Sequence, residues 1–214
     1  MEKAFIIGNG VSRKGFDLEQ LRGKGVIYGC NALYRDFMPD VLVATDDKMR
    51  EEIELSPINP DIGKNIPKDI PFYTRQPSKK IKCHVDRPWQ EYDYQNNWSR
   101  KIPVNWGYSS GNVALTLACY EKFSYIYLIG HDLISDTQQV NNIYVDTKNY
   151  KTSSMPATFH GNWAEQIRKI MVNFPLYNFA RVGALNNFVP ESWKECPNHR
   201  EITFEQFLNE INNV

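Results

Sequence analysis

Five short apolar runs, each stopped by Gly, Asn or Asp, constrain this chain more than any other feature. Ala4-Phe5-Ile6-Ile7 is followed by Gly8, Val26-Ile27-Tyr28 by Gly29, and Val41-Leu42-Val43-Ala44 by Thr45-Asp46. Tyr125-Ile126-Tyr127-Leu128-Ile129 is the clearest, rich in β-branched and aromatic residues, and Leu176-Tyr177-Asn178-Phe179 is the fifth. Runs this short and this continuous predict strands buried on both faces, as in a parallel sheet.

Helical patterns lie between them. Asp17-Leu18-Glu19-Gln20 has capping-box spacing, and Leu18 and Leu21 begin an apolar stripe. Asn112 to Phe123 carries Val113, Leu115, Leu117 and Tyr120, with Ala114 and Ala118 four apart. Trp163, Ile167, Ile170 and Met171 recur at helical spacing after Gly161, and Thr203 to Ile211 puts Phe204, Phe207, Leu208 and Ile211 on one face. The alternation predicts an α/β class: a Rossmann-like, doubly wound, mostly parallel sheet.

At 214 residues, with 42% hydrophobic and 23% charged residues, the chain suits one globular domain over 1–214. Lys+Arg and Asp+Glu balance at 25 each, so no global field drives it to nucleic acid or an acidic membrane. Cys30, Cys83, Cys119 and Cys196 show no CxxC spacing, which predicts reduced thiols and a cytoplasmic setting. Met1-Glu2-Lys3 leads straight into the first strand, so no signal peptide is expected. There is also no run of eighteen apolar residues, so no transmembrane segment is expected.

Two stretches break the rhythm. An irregular insertion at about 57–105 is rich in Pro, Lys, Trp and Tyr, with candidate strands at Phe72–Arg75 and Ile81–Val85. Its aromatics Trp89, Tyr92, Tyr94 and Trp98 suit either packing in a subdomain or a partner-binding surface. The polar segment at about 133–160 has little periodicity and reads as a lid.

The candidate site residues follow strand ends, where open α/β sheets bind ligands. Gly8-Asn9-Gly10-Val11-Ser12 follows the first strand. Its glycines permit a tight turn and close approach of a ligand, with Asn9 and Ser12 offering polar groups. The loop is neither GxGxxG nor a Walker sequence. Asn31 follows the second strand and Asp46-Asp47 the third. The two carboxylates suit ribose hydroxyls or a hard cation, and Asp47 equally suits a helix N-cap. Ser109-Ser110-Gly111 precedes a helix, where amides and hydroxyls favour anions, or where serine merely caps. The strongest strand ends in Gly130-His131-Asp132, with Asp132 at the ligand edge and His131 packing or capping. His160, beyond the lid, is a candidate general base. His84 and His199 have no partner spacing. No HExxH, GxSxG or paired CxxC occurs, and no metal ligands are assigned.

Taken in order, these pieces resemble the bacterial sialyltransferases that use CMP-activated sialic acid. Phe5 to Ser12 resembles their first strand and GNGPS loop, with Val11 for proline. Cys30-Asn31-Ala32-Leu33-Tyr34 resembles a CN-x-x-Y segment, and Ser109-Ser110-Gly111 the TSG or SSG motif. Tyr125 to Asp132 resembles the IYL-x-G-x-D strand, and Leu176-Tyr177-Asn178 with Asn186 the closing strand and loop. The chain is also similar to a sister group, the motility accessory factors and archaeal hydroxymethylpterin pyrophosphokinases, over Gly111–Ala118 and Tyr127–Leu133.

The resemblance implies a glycosyltransferase acting with inversion, without a cofactor, between a nucleotide-sugar donor and a glycan or other hydroxyl acceptor. Asn9, Ser12, Asn31, Ser109, Ser110 and Gly111 would then cradle CMP. Tyr144 would hydrogen-bond the leaving phosphate, and His160 would take the acceptor proton. The chain has Gly107 where the family has an arginine and Ile134 where it has a second lid tyrosine, with Arg75, Arg87 or Arg100 as candidate substitutes. Asp46, where the sialyltransferases tend to have Asn, suits the Mg²⁺-dependent pyrophosphokinase alternative, which rests on Asp46, Asp47 and Asp132. A non-catalytic nucleotide- or partner-binding protein on the same fold is the third reading. Oligomeric state is left open, homo-oligomers included.

Overall fold

The structure, a computed structural model, describes residues 3–55, 70–74 and 109–213. Strands β1 (Lys3–Ile7), β2 (Val26–Cys30), β3 (Val41–Val43), β4 (Phe72–Tyr73), β5 (Tyr125–Ile129), β6 (Asn178–Val182) and β7 (His199–Ile202) form one sheet in the order β4-β3-β2-β1-β5-β6-β7. Every pairing in it is parallel. Helices α1 (Asp47–Leu55), α2 (Ser110–Tyr120), α3 (Gly161–Asn173) and α4 (Phe204–Asn212) accompany it. This is the expected Rossmann-like α/β fold.

The alternation of side chains along each strand explains why the runs are apolar throughout. Ala4, Ile6, Ile126 and Leu128 pack with α2 and α3 on one face. Phe5, Ile7, Tyr127 and Ile129 pack with Leu18, Leu21, Phe207 and Ile211 on the other. Burying each large apolar side chain contributes roughly 1.5–3 kcal/mol, so a strand covered on both faces is nearly continuously apolar, and a charged residue there is held by a partner, as Arg181 of β6 is by Glu201. α2 is covered nearly all round, with even Thr116 wholly buried and its hydroxyl returned to the Asn112 carbonyl at 2.8 Å. Thr203 caps α4 through a complete capping box with Gln206.

Some expectations shift. The helix expected from Asp17 is a single 3-10 turn, Leu18–Leu21, although Asp17 does accept from the Glu19 amide at 3.0 Å. The chain leaves the turn at Arg22, whose ψ is 132, and bends through Gly23, at φ +73, towards β2. The fifth strand begins at Asn178 rather than Leu176, because a turn closed by Tyr177 N–H to the Phe174 carbonyl occupies that position. Edge strand β7 had no apolar run to mark it. Arg200 pairs with Glu210 at 2.5 Å and Glu201 with Arg181 at 2.9 Å, so its polar residues are held by ion pairs. The candidate strand at Ile81–Val85, most of the 57–105 insertion with its aromatics and arginines, Cys83, His84 and Gly107 lie outside the described residues. Among the described residues no helix is long and apolar enough to cross a membrane.

Candidate functional site

The strand order reverses between β1 and β5, and at the carboxyl ends of the strands the loops after these two are bonded together, Gly10 N–H donating to the Gly130 carbonyl at 2.9 Å. A cleft of about 600 Å³ opens there, within the roughly 300–1,000 Å³ typical of ligand pockets and at the usual position for this architecture. Gly8, Asn9, Gly10, Asn31, Asp46, Ser109, Ser110, Gly111, Asp132 and His160 all line it. Residues far apart in sequence therefore meet because four parallel strands end at one edge.

Ser12 does not line the cleft. Its amide donates to Asp132 at 3.1 Å, and its hydroxyl also donates to that carboxylate. Asn141 of the lid adds a third bond at 2.9 Å. Asp132, 4% exposed, is thus engaged by protein donors.

The motif glycines make room chiefly for protein. A Cβ on Gly8 would lie 2.5 Å from the Gly130 carbonyl oxygen, and one on Gly10 the same distance from the Asp132 carboxyl carbon. Both are shorter than any real contact, so the loop can sit against the end of β5 only with glycine at both positions. Gly111 serves likewise, its missing side chain replaced by the His131 ring.

Asn31 takes a left-handed conformation, φ 52, which Asn tolerates better than most residues. Its Oδ1 accepts from Ser110 at 2.8 Å, while Ser110 accepts from the Thr45 amide at 3.0 Å. The Asn31 Nδ2 has no hydrogen-bond partner among the described residues. Ser109 caps α2, accepting from the Asn112 amide at 3.3 Å. Asp46 and Asp47 are exposed, and Asp47 pairs with Arg50 at 3.1 Å in the first turn of α1. No group of three or more His, Cys, Asp or Glu suited to a metal is found among the described residues.

The lid segment is docked rather than free. The Ile143 amide donates to the Asn9 carbonyl at 2.9 Å, and Asn141 accepts from the Val11 amide at 2.9 Å. Buried Glu52 on α1 holds the other side. It accepts from Tyr34 at 2.6 Å, from Arg35 at 2.6 Å and from lid residue Asn149 at 2.7 Å. Arg35 also reaches Thr147 at 2.9 Å and the Lys148 carbonyl at 2.9 Å.

This docking corrects the lid tyrosine. Tyr144 is buried in the core formed around Leu42 and Ile53, its hydroxyl 3.4 Å from the Arg13 guanidinium. It does not line the cleft, whereas Tyr150 does. The Tyr150 hydroxyl accepts from Asn9 Nδ2 and from the Ala32 amide, each at 3.3 Å. Its own hydrogen has no acceptor among the described residues. Burial raises its pKa, keeping it a phenol. Sequence reading missed Tyr150 because Tyr144 and Tyr150 lie in one aperiodic segment, and only packing distinguishes them.

His160 immediately precedes α3, its ring 5.1 Å from that of Trp163. Burial pushes its pKa below the ordinary histidine value, and the Asp132 carboxylate opposes the shift. The imidazole is therefore neutral at physiological pH, as a proton acceptor must be. His131 also lines the cleft, wedged against Gly8 and Gly111. Burial lowers its pKa to about 4, against Asp132 and with Arg181 assisting.

A stability prediction arises from His131. Its folded pKa lies below the unfolded value near 6.5, so the unfolded chain binds the proton first and stability falls as pH drops from about 6.5 towards 4. The loss between pH 7 and 5 is about 2 kcal/mol. Urea melts of wild type and His131→Asn at the two pH values measure it, with the variant showing the shallower dependence.

Cys30, Cys119 and Cys196 are free and buried, and burial pushes the Cys30 thiol up to about 12. They are inert packing groups. No family model, curated protein or solved structure matches the chain.

Proposed function

We propose that this chain is a sialyltransferase-like glycosyltransferase that moves a sugar from a CMP-sugar, or another nucleotide-sugar, to an acceptor hydroxyl with inversion. One observation carries the reading. The neutral His160 and the phenol of Tyr150 line the same cleft as the polar loops after β1, β2 and β5 and the start of α2. In this reading Asn9, Asn31 and the Ser109–Gly111 turn hold the nucleotide. Tyr150, its oxygen already accepting two N–H bonds, donates its hydrogen to the departing phosphate. His160 Nε2 or Nδ1 takes the acceptor proton as the acceptor oxygen attacks the anomeric carbon and the bond to phosphate breaks. Asp132 is a positioning residue: it holds the first loop and favours the imidazolium that forms.

Tyr150→Phe is expected to lower transfer roughly ten- to a hundredfold, the value of one hydrogen bond to a charged group. Tyr144→Phe is expected to leave the rate near wild type, because its hydroxyl faces Arg13. Steady-state transfer assays compare the two.

The test of the reading itself is a thermal-shift panel of CMP, CDP, UDP, GDP and ATP, with and without Mg²⁺. Ligand at a hundred times Kd stabilises by about 2.7 kcal/mol, so selective stabilisation names the nucleotide. Stabilisation by no nucleotide would remove the proposal. The pyrophosphokinase alternative is favoured by the exposed Asp46 and Asp47 at the cleft. It predicts stabilisation by ATP only with Mg²⁺, and activity abolished by EDTA.

A further inference from the structure

His160 makes no side-chain cap bond to α3, so the place of its ring follows from where the start of that helix lies. Helix ends fray unless something holds them. Two side chains from elsewhere in the chain pin this one. The Trp193 indole N–H donates to the Ala164 carbonyl at 2.9 Å, and Asn112 Nδ2 of α2 donates to the Trp163 carbonyl at 3.2 Å. Asn112 Nδ2 also donates to Gln166 Oε1 at 2.7 Å, and that oxygen accepts from the Ser109 amide at 3.3 Å. Ser109 Oγ in turn accepts from the Asn112 amide. A closed ring of hydrogen bonds thus joins the N-cap of α2 to the second turn of α3.

Both amides are buried, Asn112 at 1% and Gln166 at 9% exposure, where α2 and α3 also bury Val113, Ala164 and Ile167. Stability alone does not account for them. A satisfied buried hydrogen bond is a small net gain, and apolar groups of the same shape can replace both partners at almost no cost. What apolar packing lacks is direction. An N–H···O bond weakens steeply when bent or stretched, so it admits one register of helix on helix where apolar ridges admit several.

We infer that Asn112 and Gln166 are positioning residues, whose shared bond sets the register of α3 against α2 and thereby the distance from His160 to the Ser109–Gly111 turn. A misplacement of about 1 Å in such an arrangement costs roughly a hundredfold in rate. The effect on rate rests on the glycosyltransfer reading of the cleft. The placement of the ring does not.

The double variant Asn112→Leu/Gln166→Met removes the bond and keeps the side-chain volumes. It is expected to unfold in urea at or above the wild-type midpoint. Its kcat is expected to fall about a hundredfold, with the donor KM within about twofold of wild type. Because the two residues share one bond, each single variant should lose about as much as the double. Histidine NMR, with His160→Ala assigning the signal, reads the ring without any substrate. In the double variant the His160 titration should move up towards the ordinary histidine value as the ring gains water, the Asp132 carboxylate acting in the same direction. Should that variant not fold, Asn112→Ser, too short to reach Gln166, carries the same titration test. An unchanged His160 titration overturns the inference, as do single losses in kcat that multiply in the double variant or a rate loss that merely follows the unfolded fraction. If the wild type transfers no sugar from any nucleotide-sugar, the glycosyltransfer reading falls, and a moved titration still upholds the positioning role.

Discussion

His160→Ala is expected to lower sugar transfer by roughly 10²–10⁴-fold, the contribution of a positioned general base, while CMP affinity stays within about twofold of wild type. The separation follows from the geometry. His160 stands at the start of α3, whereas the candidate nucleotide-holding groups follow β1 and β2 and begin α2. The pH profile is a second readout. Burial lowers the His160 pKa, so the rate should rise with pH through a value below the ordinary 6.5 and be flat through neutrality. In His160→Ala that acid limb should vanish. Unchanged turnover, or an acid limb that persists in the variant, would assign the base elsewhere.

Glu52→Ala is expected to cost about 3 kcal/mol or more, the scale for removing one partner of a buried ion pair. Glu52 has a side chain only 1% exposed and is bound to Tyr34, Arg35 and Asn149 together. Its loss strands the Tyr34 hydroxyl and the Arg35 Nε, and leaves Arg35 only its contacts with Thr147 and the Lys148 carbonyl. The effect should reach the site, because the same hub holds Asn149, next to Tyr150. Urea denaturation gives the stability loss, and limited proteolysis across 133–160 reports whether the lid is released. A loss below about 1 kcal/mol with an uncut lid would show that the contacts of Asn141 and Ile143 with the first loop suffice.

Much of the architecture was legible because a doubly covered sheet writes itself into composition. A strand buried on both faces is nearly continuously apolar, so β1, β2, β3 and β5 stand out, and the 3.6-residue stripes of α3 and α4 are equally local. Edge strand β7 was not legible, since its residues are held by partners at Arg181 and Glu210 that no local pattern reveals. The longer helix expected after Asp17 did not form: the cap is present, but the chain is already out of helical conformation at Arg22 and turns at Gly23 towards β2.

The candidate site divides the same way. The residues after strand ends, Asn9, Asn31 and Asp132, were legible as neighbours because parallel strands deliver their carboxyl ends to one edge, whereas Ser109–Gly111 and His160, at the starts of α2 and α3, reach that edge only through the tertiary structure. What each does there was decided only by packing in three dimensions. Ser12 turned to hold Asp132, Gly8 and Gly10 made room for the end of β5, and Tyr144 went into the core while Tyr150 kept its hydroxyl at the cleft. A side chain's chemistry is local, but its hydrogen-bond partner and its exposure are set by residues a hundred or more positions away.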